Sequence, residues 1–93
     1  MLVLGRRRNE ALLIGDARLL VTSLLPKIGL TYVRSGVARH FVYTPLDLAQ
    51  EPELLLDEAT VKLGGFNATR TELIILIDAP RSVRVLREEL KAW

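Results

Sequence analysis

The chain has 93 residues, 49% apolar and 26% charged, with Lys and Arg numbering 13 against 11 Asp and Glu. That composition is globular, and so short a chain buries only about 60–65% of its unfolded surface, so it calls for a staple or for oligomerisation. Cysteine is absent and His40 is the single histidine, which excludes disulfides, thiol catalysis and multi-histidine metal sites.

In chain order, residues 2–8 predict a strand. Leu2, Leu4, Arg6 and Arg8 share one of its faces and Val3, Gly5 and Arg7 the other. Neither face is wholly apolar, which suits a strand paired across an interface. Residues 11–14 form a short apolar run ended by Gly15-Asp16, a turn signal. Residues 18–25 form a second apolar strand, stopped by Pro26. Residues 30–34 and 38–43 predict a hairpin around Ser35-Gly36-Val37, with His40 on its surface. Pro52 stands where a first helical turn tolerates it. Leu54 to Leu63 then read as a helix capped by Gly64-Gly65, with acids early and Lys62 late. A strand at 59–63 competes, because Thr60 and Val61 are β-branched.

Residues 66–71 are loop-like around Asn67. Residues 72–77 are the clearest strand, ended by Asp78-Ala79-Pro80. Residues 82–86 alternate as a final strand, and Arg87 to Trp93 predict a short terminal helix. The sum is a mainly β protein with one internal and one terminal helix. No internal repeat stands out.

Charge is segregated along the chain. Arg6, Arg7 and Arg8 make one end basic, and Arg81, Arg84, Arg87 and Lys91 the other. Between them, residues 44–60 hold Asp47, Glu51, Glu53, Asp57 and Glu58 and no base. Basic ends suit an anionic partner if the fold joins them. The first residues run directly into Arg6, the reverse of a signal peptide. No apolar run approaches the 18 residues of a membrane helix. The expectation is a soluble cytoplasmic protein without a membrane partner.

Residues 1–16, MLVLGRRRNEALLIGD, and residues 77–90, IDAPRSVRVLREEL, together resemble the two ends of the carbon storage regulator family (CsrA/RsmA), bacterial translational regulators that bind messenger RNA. The resemblance implies an intertwined homodimer of five-stranded chains, with first and last strands of opposite protomers side by side. It implies a post-transcriptional regulator of translation or mRNA stability, as in carbon metabolism. Its partner would be RNA with GGA in a single-stranded segment or hairpin loop, with small decoy RNAs as further partners. Carried over, the RNA-binding residues are Leu4, Arg6, Arg7 and Arg8 from the first strand and Pro80, Val83, Val85, Arg87 and Leu90 from the last strand and its flanks. No cofactor, metal or catalytic residue is expected.

The chain departs from the family between these ends. The whole of 1–93 reads as one domain, with about 26–70 as an atypical insertion of a hairpin plus an acidic helix. Alternatively, Ala59 to Ile77 supply the second and third strands, and the insertion begins after Asp16. Gly5 stands where a polar residue is common, Asn9 where Gly is common, and Leu86 at a position that is often polar. A second function remains open: a protein-interaction module on the same fold, with weakened RNA binding and the insertion contacting a protein.

Overall fold

Alternation of large apolar and polar side chains shapes most of the chain. In a strand, successive side chains point to opposite faces. Ala17, Leu19 and Val21 are buried while Arg18, Leu20 and Thr22 are not. Leu73, Ile75 and Ile77 alternate in the same way. A computed structural model describes residues 1–90. It contains nine strands: β1 (Leu2–Arg6), β2 (Ala11–Ile14), β3 (Ala17–Ser23), β4 (Ile28–Arg34), β5 (Val37–Tyr43), β6 (Glu53–Leu56), β7 (Ala59–Phe66), β8 (Leu73–Asp78) and β9 (Val85–Arg87). Two 3-10 turns, Asp47–Gln50 and Glu88–Leu90, complete it.

The protein is mainly β, as the sequence predicts. The strands form two antiparallel sheets, ordered β1-β8-β7-β6 and β5-β4-β3-β2-β9. Their inner faces share one core that draws Leu12, Leu19 and Leu30 from one sheet and Leu56, Leu63 and Ile75 from the other. The radius of gyration is 12.4 Å, about what a single domain of this length requires.

The predicted internal helix is overturned. Leu54 to Leu63 form the β6–β7 hairpin, in which Leu54 faces Val61 and Leu56 faces Ala59. Leu54, Leu56, Ala59, Val61 and Leu63 are buried, whereas Leu55 and Glu58 are exposed. That is a period of two on either side of a two-residue loop. The core-facing alternation outweighs the helix-compatible acids and the Pro52 start. Gly64 and Gly65 are not a helix cap but part of β7, where its register with β8 shifts between Leu63 and Phe66.

The last strand is shorter and later than predicted, Val85–Arg87 rather than 82–86. The terminal helix reduces to the 3-10 turn at Glu88–Leu90, and its remaining residues, 91–93, lie outside the described part. Of residues 26–70, the hairpin forms and the acidic helix does not. These residues supply β4 to β7, and β4 and β7 are interior strands. The hairpin around Ser35-Gly36 forms as predicted, with Ser35 at φ 52° and Gly36 at φ 77°. Such a pair of positive φ values matches the right-handed twist of the flanking strands.

The pairing also contains a repeat that the sequence does not advertise. β2-β3-β4 and β6-β7-β8 are both meanders, and their registers coincide. Leu12, Ile14, Ala17, Leu19 and Val21 correspond to Leu54, Leu56, Ala59, Val61 and Leu63. Ile28, Leu30 and Tyr32 correspond to Leu73, Ile75 and Ile77. Both units carry a register shift at the same place, after Val21 and after Leu63. Each third strand then takes an outer neighbour. β5 lies on β4 and β1 lies on β8, with Phe41 and Leu4 in matching positions. Identities are few because each position asks only for an apolar residue of suitable size.

Candidate nucleic-acid interface

β1 ends one sheet and β9 ends the other. Along one side of the sandwich these two edges face each other. Leu4, Val83 and Val85 pack against the core from this side. Met1, Leu2, Ile77, Pro80, Arg81, Val83 and Val85 line a groove there of about 170 Å³. The chain's two ends therefore come close, but they are not paired: β1 is hydrogen-bonded to β8 and β9 to β2, in different sheets.

Arg6 and Glu89 tie this edge together. Arg6 is 4% exposed. Its guanidinium donates to both Glu89 carboxylate oxygens, at 2.7 and 2.8 Å, to Gly5 O at 2.9 Å and to Ala11 O at 3.2 Å. A buried guanidinium demands such complete pairing. The Arg6 hydrogen bond, joined by a bond from the Glu89 backbone N–H, pulls the Glu89 carboxyl down to about 2. Arg6 thus positions β1 against the 3-10 turn and is not an open cation. A second pair, Arg18 with Glu88, fastens the same turn to β3. Neither acid is among the predicted site residues, because a contact between residue 6 and residue 89 has no local spacing to betray it.

The other expected residues divide by exposure. Arg7, Arg8 and Arg87 are exposed. Arg7 lies 3.9 Å from Glu72. Leu90 is exposed and, with Leu13, Arg18, Arg84 and Leu86, lines a concavity of about 350 Å³ on the outer face of the β2–β9 sheet. Leu90 and Leu86 therefore belong to that outer face, while Leu4, Val83 and Val85 belong to the β1–β9 edge. Arg81 and Arg84 are exposed beside the predicted set and add to its charge. Among the described residues, Arg8, Arg81 and Arg84 form no ion pair, whereas Arg87 lies near enough to Glu89 to help lower its carboxyl. On β9, Gly15 N donates to Arg84 O at 2.7 Å and Leu86 lies opposite Leu13. Alternation then turns the backbone groups of Val85 and Arg87 away from β2, toward the open edge.

Two departures from the family pattern have local causes. Asn9 sits at φ 69°, a left-handed conformation that Gly adopts freely and Asn tolerates. At Gly5, a Cβ would lie 2.9 Å from Glu72 Oε1, so the Glu72 carboxylate fills the room a side chain would need.

A separate cluster joins the two hairpin turns. The Tyr32 hydroxyl donates to Asp57 Oδ2 at 2.6 Å, and Arg34 lies 3.2 Å from Asp57 Oδ1 and 3.4 Å from Asp16. Burial and then the Asp57 hydrogen bond push the Tyr32 phenol up to about 12. These residues line a cavity of about 130 Å³ between the turns. Arg34 bridges the two acids across the turns, which is a structural clamp.

No family model, no curated protein and no solved structure matches the chain. Among the described residues no helix is long and apolar enough to cross a membrane.

Proposed function

We propose that the chain is a post-transcriptional regulator that binds GGA-containing single-stranded or hairpin-loop RNA along the β1–β9 edge. The observation that carries this is the approach of β1 and β9 beside the exposed arginines Arg7, Arg8, Arg81, Arg84 and Arg87. Single-stranded RNA is recognised where cations hold phosphates and outward backbone groups read base edges. Arg87 is the base-reading or phosphate-reading cation, with Arg7, Arg8, Arg81 and Arg84 supplying attraction. The outward backbone groups of Val85 and Arg87 read the bases, and Leu4, Val83 and Val85 hold the edge in shape. The reading keeps the homodimer that the resemblance implies, with one such edge for each chain.

The test is a fluorescence-anisotropy titration at fixed salt with a short hairpin bearing GGA in its loop. A loop-substituted hairpin and the Arg87→Ala protein run beside it. Expected are one RNA per chain, a loss of about tenfold or more for either change, and weakening as salt rises. Equal binding of both hairpins by the folded protein removes the GGA reading, and no loss in Arg87→Ala removes the assigned site.

A further inference from the structure

The repeat makes one of the bare sheet edges, that of β6, interpretable. β2 and β6 occupy equivalent places, but their outer sides differ. β9 lies on β2, with Leu86 opposite Leu13 and Arg84 O bonded to Gly15 N. On β6, among the described residues, no strand lies on the outer side. The β6–β7 hairpin closes on the Leu56–Ala59 pair, and Leu63 N donates to Pro52 O. That parity directs the backbone groups of Pro52, Leu54 and Leu56 toward β7 and those of Glu53 and Leu55 outward. Leu55 is 70% exposed, whereas its counterpart Leu13 is partly covered.

The charge around this edge is predominantly acidic, although Lys62 lies opposite Glu53 on β7 and Arg34 pairs with Asp57. Glu51, Glu53, Asp57 and Glu58 are all exposed about β6. A second copy presenting its own β6 would bring acids against acids, so self-pairing is disfavoured. The strand on the equivalent edge is of opposite character: β9 and its approach read Arg-Ser-Val-Arg-Val-Leu-Arg, residues 81–87.

We infer that the outer edge of β6 is a docking site for an extended segment of a partner protein, with an apolar residue opposite Leu55 and basic residues flanking it. The segment adds an antiparallel fifth strand to the β1-β8-β7-β6 sheet, as β9 does on the other sheet. Main-chain hydrogen bonds to Glu53 and Leu55 supply affinity, and Glu51, Glu53 and Glu58 select for basic flanks. The site is separate from the β1–β9 edge and does not depend on RNA binding there.

The probe is a fluorescein-labelled synthetic peptide with the sequence of residues 81–87, titrated by anisotropy into the full chain. Expected is saturable 1:1 binding that weakens with salt. Leu55→Pro removes an outward N–H while sparing the hydrogen bonds to β7. Glu53→Lys, at an exposed position, reverses a selecting charge without touching the core. Each is expected to weaken binding at least about tenfold and to leave affinity for the GGA hairpin unchanged. Circular dichroism checks that both variants are folded. No binding up to about 1 mM peptide, or binding that both folded variants retain, overturns the inference. The acids would then only protect a bare edge from aggregation. Peptide that instead displaces β9 from β2 would bind the variants as well as the parent, and so also counts against it.

Discussion

At the residue scale, buried or half-buried charge is handled by complete pairing. Arg6 is enclosed by two backbone carbonyls and both oxygens of Glu89, so removing either partner strands the other. The pH consequence has a definite sign. The folded Glu89 carboxyl lies near 2, below its ordinary 4.5. Its contribution to stability is therefore present above about pH 4.5 and is lost as the pH falls through 2. Glu89→Gln is expected to melt below the parent at pH 6, and the gap is expected to close progressively between pH 4.5 and 2. Thermal melts at a series of pH values check this, and a gap independent of pH would deny the Arg6–Glu89 assignment. Tyr32 runs the opposite way. A phenol raised to about 12 keeps its stabilising proton up to about pH 10 and gives up that contribution as the pH rises through 12.

At the scale of elements, turn chemistry and core-facing alternation decide the outcome. The β4–β5 hairpin depends on Gly36 at φ 77°, where an added Cβ would touch nothing within 4 Å. Gly36→Ala is therefore expected to cost about 1 kcal/mol through backbone conformation alone. Urea unfolding with an unchanged m-value measures it, and a neutral result would show that the turn relaxes freely. The β6–β7 hairpin teaches a different lesson. Its first residues carry acids and a proline in helix-start order, but Leu54, Leu56, Ala59, Val61 and Leu63 bury as two strands would. A local propensity worth tenths of a kcal/mol per residue gives way to burial of large side chains worth about 1.5–3 kcal/mol each.

At the scale of the whole molecule, two sheets of matching register close on one core. Leu12 and Leu54 are counterparts, 0% and 3% exposed, in different sheets. Because both belong to one cluster, Leu12→Ala and Leu54→Ala are each expected to destabilise the entire chain by about 2–5 kcal/mol, in a single transition. Near-UV circular dichroism of the tyrosines, of which Tyr32 is buried in the core, and far-UV circular dichroism should report the same midpoint. Separate transitions for the two meanders would mean that the sheets fold as independent units. The same closure explains the asymmetry of the molecule. The edge beside β2 is filled by β9 and that beside β6 is not, so the two lateral sides have different chemistry.

The sequence by itself determined the β class, the strands at Leu12, Leu19, Leu30 and Ile75, and the Ser35-Gly36 turn, because alternation and turn residues act within a few positions. It also displayed the basic ends, Arg6 to Arg8 and Arg81 to Arg87, that make up most of the candidate site. Only the tertiary structure decided that Arg6 is buried on Glu89, that Leu54 to Leu63 fold as a hairpin, and that residues 26–70 supply β4 to β7. It alone revealed the repeated meander and the bare edge of β6. Each of these depends on which residues meet across tens of positions, and such meetings are selected by how well apolar volume and paired charge fit together when the core closes.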